Sequence, residues 1–240
     1  MYGGMCTGGY ALSLLGAWQT LTSLKCETYI ATLMNESLIT RGRNDLARMF
    51  LERDADYLMF IDADITFPKD AIPALLLADK DVVCGVYSKK EIAWDSVSRA
   101  AQAGKSNLAE YSGSFVLNMM GAQGDHAEVD ESGVIEVRHG GTGFMLIKRS
   151  VLEKLKDHVP TYRRTSFRNP ETGDYTHPVV HQFFDTSIDD TGALLSEDYH
   201  FCELWRKHGG QIYAHPAIKL DHTGTHVFGG DLMKSGGQLA

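Results

Sequence analysis

The sequence has few cysteines and no excess of basic residues, and each shortage excludes a class of protein. Its four cysteines are far apart and form no Cys-x-x-Cys pair; they are Cys6, Cys26, Cys84 and Cys202. We therefore expect buried thiols in a reducing compartment, without disulfides or a structural zinc ion. The formal net charge of -8 argues against a broad surface for the phosphates of a nucleic acid.

Long apolar runs are also lacking. The only apolar stretch near the start, from Tyr10 to Trp18, is too short to span a bilayer, and no basic residues precede it. The sequence therefore predicts a soluble, cytoplasmic protein with no membrane span.

The 240 residues, 43% of them hydrophobic, are enough to bury one large core. Strand-like and helix-like segments alternate: strands at 26–34, 57–61 and 81–88, and helices at 39–53 and 69–78. This order predicts an α/β fold with a mainly parallel sheet flanked by helices. Residues 89–134 are polar and aperiodic, so we expect one domain over 1–240 with a loop-rich excursion there.

The segment "YLMFIDADITFP" (57–68) ends a buried strand in two carboxylates. Because side chains alternate along a strand, Asp62 and Asp64 point the same way and can converge on one cation or one hydroxyl-bearing ligand. The carboxyl ends of strands are where open α/β sheets bind ligands. The pair could be a metal–nucleotide site, or a solvated turn closed by Pro68. With Thr66 it also resembles the Asp-x-Asp-x-Thr nucleophile motif of haloacid-dehalogenase-like phosphatases.

"ITRGRNDL" places Arg41, Arg43 and Asn44 at a helix start, where the helix dipole disfavours cations. They could belong to a solvated helix end. Alternatively, the guanidinium groups and the helix N–H donors bind a phosphate or a nucleobase.

Two segments near the end carry further acids and histidines. "LSEDYHFCELWRKHGG" starts a helix with Ser196 as N-cap, followed by Glu197 and Asp198. These acids either satisfy the helix dipole or supply a general base for an acceptor hydroxyl. "AIKLDHTGTH" contains His222 and His226 beside Asp221, and a mixed Asp and His set favours Mn²⁺, with Mg²⁺ as a substitute.

Taken in order, these segments resemble a GT-A glycosyltransferase over most of the chain. The segments are "YGGMCTGGY", "TRGRN", "FIDADITFP", "GGTGFMLIKRSVLEKL", "SEDYHFCELWRKHGG" and "LDHTG". The resemblance is strongest to the small viral and bacterial sugar transferases of this fold. It implies transfer of a sugar from a UDP- or GDP-linked donor to a hydroxyl of a glycan or another acceptor.

The resemblance also implies a role for individual residues. Nucleotide-sugar contacts would come from Tyr2, Gly3, Arg41, Arg43, Asn44, Asp62, Ala63 and Gly141. A Mn²⁺ or Mg²⁺ ion would be held by Asp62, Asp64 and His222. The base would be Asp198 or Glu197; Asp198 in this role would invert the anomeric configuration, while terminal His ligation also occurs in retaining members.

Other functions stay open on the sequence alone. A phosphatase of the haloacid-dehalogenase type would carry its motif on the first strand, and here the motif follows two earlier elements. A nucleotidyltransferase, a glycosyltransferase acting on DNA bases, and a non-catalytic nucleotide- or glycan-binding protein are the remaining alternatives. In the glycosyltransferase interpretation, Trp94, Tyr111 and Tyr162 could stack on a sugar from the acceptor-side loops.

Overall fold

The computed structural model describes residues 2–120, 128–169 and 172–225; the candidate ligand His226 lies outside them. The helices are α1 (Gly8–Ser23), α2 (Ile39–Leu51), α3 (Ala71–Leu77), α4 (Trp94–Gln102), α5 (Arg149–Leu155) and α6 (Glu197–Lys207). Short 3₁₀ turns cover Tyr2–Gly4, Leu108–Tyr111 and Lys156–His158.

Six strands form the central sheet: β1 (Tyr57–Ile61), β3 (Val82–Gly85), β4 (Leu117–Met119), β5 (Ile135–Gly140), β6 (Phe144–Lys148) and β13 (Ile212–His215). The other strands pair two by two: β2 (Ile65–Thr66) with β14 (Asp221–His222), β7 (Thr161–Arg163) with β10 (Val179–His181), β8 (Phe167–Arg168) with β9 (Tyr175–Thr176), and β11 (Ser187–Ile188) with β12 (Leu194–Leu195).

The central sheet has the order β1-β6-β3-β13-β5-β4. Its only parallel pair within the described residues is β3 with β13, and the other neighbours are antiparallel. The α/β class is confirmed, but the prediction of a mainly parallel sheet is wrong. The cause is the position of β6, which lies between β1 and β3 and runs antiparallel to both. β1 and β3, connected through α3, still share one direction, as a helical crossover requires.

Apolar side chains alternate between the two faces of the sheet. On β1, Phe60 belongs to a cluster with residues of α2, α5 and α6. Its neighbours Met59 and Ile61 pack against the opposite cluster, which contains residues of α1 and α3. Helices therefore cover both faces, and the carboxyl ends of β1 and β3 open between them.

Two loop segments differ from their sequence-based description. Residues 26–34 form no strand; there the guanidinium carbon of Arg53 lies 3.5 Å from the centroid of the Tyr29 ring. The described part of the excursion 89–134 contains α4 and the edge strand β4. Ala100 is the one buried residue of α4, so this helix covers the fold without adding a second core.

None of the helices in the described ranges is long and apolar enough to cross a bilayer. The expectation of buried thiols is confirmed for Cys84 and Cys202 and is wrong for Cys6 and Cys26, which are exposed. The cytoplasmic location stays a prediction.

Candidate functional site

The two carboxylates of the Asp-x-Asp segment stand at the carboxyl end of β1. The backbone N–H of Asp62 donates to the carbonyl of Gly143 (2.9 Å), just before β6 begins. The carbonyl of Asp64 accepts from the N–H of Thr223 (2.9 Å), just after β14. The turn is thus held from both sides, and it places each carboxylate against a different neighbour.

Arg43 is the partner of Asp62. Its Nη2 donates to Asp62 Oδ1 at 2.7 Å, and its Nε lies 3.9 Å from Glu197 Oε1. The side chain is 7% exposed and its guanidinium lies over the ring of Phe60. Burial by itself would lower the pKa of Arg43, but the charges of Asp62 and Glu197 outweigh it and raise the pKa. Arg43 therefore joins the end of β1 to the start of α6 through a buried cation.

Asp64 faces His222 and Lys90. His222 Nδ1 donates to the carbonyl of Ser88 (2.8 Å), which in the neutral ring leaves the lone pair on Nε2. That nitrogen lies 3.5 Å from Asp64 Oδ1. The other oxygen, Oδ2, accepts from Lys90 Nζ at 2.5 Å. The Asp64 carboxylate thus lies between the imidazole of His222 and the ammonium group of Lys90.

This geometry changes the predicted metal site. Asp62 pairs with Arg43, whereas Asp64 lies beside His222 and Lys90, so the two carboxylates have different neighbours in the protein. Among the described residues, no group of three or more His, Cys, Asp or Glu could hold a metal. Asp64 and His222 still fit an ion in part, because a backbone carbonyl orients the imidazole as in ligating histidines. Mg²⁺ sites commonly take their remaining ligands from substrate phosphates and water.

The start of α6 presents Glu197 and Asp198. Asp198 Oδ1 accepts from the hydroxyl of Ser196 and from the N–H of Tyr199, the latter at 2.9 Å. Its Oδ2 receives no hydrogen bond from the part of the chain that the structure describes. Glu197 is half-buried; burial, and then the charge of Asp198, raises its pKa above the ordinary value. Asp198 is therefore oriented through hydrogen bonds to Oδ1 alone, and Glu197 lies beside Arg43.

A cavity of about 130 Å³ lies beside this cluster. Its walls come from α1, the segment 31–33, the start of α2 and the end of β1; they include Tyr10, Thr32, Arg43, Asp62 and Ala63. The cavity has the mixed apolar and polar lining of a small-molecule site.

Glu36, in the wall of the cavity, already uses both carboxylate oxygens. Oε1 accepts from Arg41 Nη2 (2.5 Å) and the N–H of Leu38 (3.0 Å); Oε2 accepts from Arg41 Nε (2.9 Å) and Arg164 Nη2 (3.4 Å). Burial alone would raise the pKa of Glu36, but hydrogen bonds from Arg41 and Leu38 outweigh it and lower the pKa. The carboxylate is a structural anchor of the cavity wall.

The amino-terminal loop reaches the Asp-x-Asp turn. The N–H of Thr7 donates to the carbonyl of Ala63 (2.9 Å), and the Thr7 hydroxyl caps α1 by accepting from the N–H of Tyr10 (3.2 Å). Gly3 lies in the preceding 3₁₀ turn with φ +66°. The predicted nucleotide contacts of Tyr2 and Gly3 stay predictions, and Ala63 lies in the cavity wall.

Two residues of "TRGRN" have tasks other than the predicted nucleotide contact. Asn44 is buried, and its amide exchanges two hydrogen bonds with the backbone of Phe184 (2.8 and 2.9 Å). Arg41 is bound to Glu36 through two nitrogens. Asn44 is therefore a buried structural residue, whereas Arg41 is 37% exposed and its predicted nucleotide contact stays a prediction.

Gly141 is explained by packing against Tyr87. A Cβ on Gly141 would lie 2.1 Å from Tyr87 Oη, and one on Gly143 would lie 2.7 Å from Tyr87 Cζ. Tyr87 Oη accepts from the N–H of Gly143 (3.1 Å). Burial, and then the charge of Asp62, raises the pKa of this phenol. A nucleotide contact of Gly141 remains a prediction.

Three residues of the site were missed by sequence reasoning: Glu36, Tyr87 and Lys90. Tyr87 packs edge-on against His222, with ring centroids 5.3 Å apart, and it follows β3, the neighbour of β6. A polar residue just after a buried strand is a signal that could have pointed to Tyr87 and Lys90. Glu36 precedes a helix whose arginines it binds, and no pattern distinguishes it from an exposed acid. The predicted stacking aromatics Trp94, Tyr111 and Tyr162 remain predictions.

Comparison with known proteins assigns this chain to no family. No protein-family model and no curated protein matches the chain. Among solved structures, the crystal structure of A197 from STIV resembles it with a TM-score of 0.44 and 21% sequence identity, over 88% of this chain and 80% of that chain. A similarity at this level establishes neither a shared fold nor a shared function.

Proposed function

We propose that this protein is a metal-dependent glycosyltransferase that moves a sugar from a nucleoside-diphosphate sugar to an acceptor hydroxyl in the cytoplasm. The observation that carries the proposal is the position of Arg43, which binds Asp62 at the wall of the cavity and faces Glu197 at the start of α6. Through this one buried cation, the donor-side carboxylate and the acid-bearing helix meet at the carboxyl end of β1.

The nucleoside would enter this cavity only in part, because its volume of about 130 Å³ is below the roughly 300–1,000 Å³ of typical ligand pockets. Asp62 and Ala63 lie in its wall next to Tyr10. Arg43 holds Asp62 Oδ1, which leaves the second oxygen to accept a ribose hydroxyl. The Asp62 side chain is 35% exposed, so a ligand can reach it.

The diphosphate lies toward Asp64. Asp64 and His222 would hold the Mn²⁺ or Mg²⁺ ion, and when bound this ion neutralises charge that develops on the departing diphosphate. Ser88 keeps the lone pair of His222 Nε2 directed toward Asp64. The two side chains thus provide one carboxylate and one imidazole ligand.

Asp198 is the base. Its Oδ1 is fixed by the Ser196 hydroxyl and the N–H of Tyr199, so Oδ2 is directed and can take the proton of the acceptor hydroxyl. The acceptor oxygen forms a bond to the anomeric carbon while the bond from that carbon to the diphosphate oxygen breaks. The proton stays on Asp198, the nucleoside diphosphate leaves, and the configuration inverts. Glu197 positions Arg43.

The alternative of an aspartyl phosphatase requires Asp62 as a free nucleophile. Asp62 Oδ1 is instead paired with a buried guanidinium, which stabilises the carboxylate anion and so makes it a weaker nucleophile. The Asp62 environment therefore suits a binding residue better than a nucleophile.

The test is a panel of UDP- and GDP-linked hexoses with Mn²⁺, read by thermal shift and by donor hydrolysis. We expect one donor to raise the melting temperature only with the metal, and Asp64→Asn to abolish that rise. Asp70→Asn is the matched control, because Asp70 is exposed and makes no side-chain cap bond. Asp198→Asn should keep donor binding and lose hydrolysis.

Other outcomes would identify other functions. Turnover of a phosphomonoester without any response to sugar nucleotides would identify a phosphatase and reject the proposal. Donor binding with no turnover, unchanged in Asp198→Asn, would identify a binding protein.

A further inference from the structure

Lys90 is an ammonium group at the proposed diphosphate site that the mechanism above does not use. It lies on the loop after β3, next to Lys89, whose N–H donates to the carbonyl of Ser114 (2.6 Å). Its stem runs against the backbone of Gly224, where an added Cβ would lie 2.9 Å from Lys90 Cδ. Its Nζ lies 2.5 Å from Asp64 Oδ2, and the side chain is 41% exposed. The loop therefore directs Lys90 to the same carboxylate that would bind the metal ion.

Two positive charges would share Asp64 once an ion is bound. A divalent ion held by Asp64 and His222 would repel the Lys90 ammonium, since both lie beside one carboxylate. Repulsion is relieved when an anion with several oxygens comes between them. A diphosphate is such an anion, and a lysine is a common phosphate binder through its point charge.

We propose that Lys90 is a second cation for the donor diphosphate: it neutralises Asp64 in the free protein and turns to a phosphate oxygen when metal and donor bind. This inference rests on the proposed function. On this account, Lys90 stabilises the leaving diphosphate together with the metal ion, and it also weakens metal binding to the free protein.

The test separates metal binding from diphosphate binding with Lys90→Met, Lys90→Arg and the control Lys89→Met. Mn²⁺ binding to the free protein is measured by electron paramagnetic resonance. We expect Lys90→Met to bind Mn²⁺ several-fold more tightly than the wild type, because the competing ammonium is gone. Lys89→Met should match the wild type, because Lys89 is exposed and no ion pair joins it to Asp64 within the described residues.

Binding of UDP and GDP at saturating Mn²⁺ is measured by calorimetry. For the nucleotide that binds the wild type, we expect Lys90→Met to lose about tenfold or more in affinity, and Lys90→Arg to keep most of it. Equal affinity in Lys90→Met and the wild type would reduce Lys90 to a counter-ion of Asp64 and overturn the inference, while leaving the glycosyltransferase proposal standing. If neither nucleotide binds the wild type, both proposals fail.

Discussion

Arg43 Nη2 lies 2.7 Å from Asp62 Oδ1, and this ion pair joins α2 to the end of β1, an edge strand of the central sheet. The guanidinium is buried, whereas the carboxylate is partly exposed at the cavity. A buried cation between two acids stabilises both the fold and the site. Its removal should therefore lower the free energy of unfolding, which can be measured without a substrate.

We expect Arg43→Met to lower the free energy of unfolding by about 3 kcal/mol, because removing one partner of a buried pair leaves the other uncompensated. Methionine keeps an apolar stem of similar length, while the guanidinium that lies over Phe60 is lost. Arg138→Met is the control: Arg138 pairs with Glu203 at the surface and is 51% exposed, so its loss should cost less than about 1 kcal/mol. Urea denaturation measures the cost of both arginine variants, and the wild type, Arg43→Met, Asp62→Asn and their double variant together give the coupling energy of the pair. Equal costs for the two arginines would contradict this prediction.

The pKa of Glu197 predicts a pH dependence of stability. Burial, and then the charge of Asp198, raises this pKa above the ordinary value of 4.5. Between 4.5 and the raised value the folded protein binds more protons than the unfolded chain, so this contribution falls as pH rises. We therefore expect Glu197→Gln to gain stability relative to the wild type as pH rises from about 4 toward neutrality.

Glu203 is a control for which the expected pH dependence of stability has the opposite sign. Burial alone would raise its pKa, but hydrogen bonds from Arg138 and His139 outweigh it and lower the pKa. Its stabilising contribution is present above pH 4.5 and is lost as pH falls, so Glu203→Gln should lose stability relative to the wild type as pH rises. Urea unfolding at several pH values checks both, and slopes of the same sign would refute the assignment.

Tyr87 predicts that Gly141 cannot carry a side chain. In Gly141→Ala the new Cβ would clash with Tyr87 Oη, and overpacking of this kind costs about 1–3 kcal/mol. The cost should shrink in part in a Tyr87→Phe background, because the oxygen is gone while Cζ would still lie 2.8 Å from the new Cβ. Gly8→Ala is the control, since an added Cβ there would meet no other described residue within 4 Å apart from its neighbours along the chain. Thermal unfolding should show no loss for Gly8→Ala; equal melting temperatures for both alanine variants would disprove the clash.

Glu36 in the cavity wall predicts which nucleobase the donor carries, because its carboxylate is already fully hydrogen-bonded. Guanine offers an amino group that needs an acceptor, and both Glu36 oxygens in the cavity wall already accept hydrogen bonds. We expect UDP to bind at least about tenfold more tightly than GDP, the factor that one lost hydrogen bond to a charged group represents. Calorimetry with Mn²⁺ measures both affinities, and GDP binding as tight as UDP binding would show that another group reads the base.

Features set by short-range patterns were predictable. The helix expected at 39–53 is observed at Ile39–Leu51, and the one starting after Ser196 is α6. Asp62 and Asp64 lie at the end of a strand, as the apolar run before them indicates. Helical and strand periodicities involve neighbours along the chain, so they can be read without knowing the sheet.

Strand order was not predictable in the same way. The helical crossover through α3 gives β1 and β3 the same direction. It does not indicate that β6 lies between them in the sheet. A strand with four apolar residues in a row, as in β6, is suited to any central position, because both of its faces are buried there. Its place depends on how the whole core packs.

By itself the sequence determined that two acids end a buried strand, that two more begin a helix, and that a histidine lies near the carboxyl terminus. Only the tertiary structure decided the partners: Arg43 for Asp62, and Lys90 with His222 for Asp64. The physical reason is that charges pair through space, so the partner of a carboxylate depends on which strand ends meet at the sheet edge.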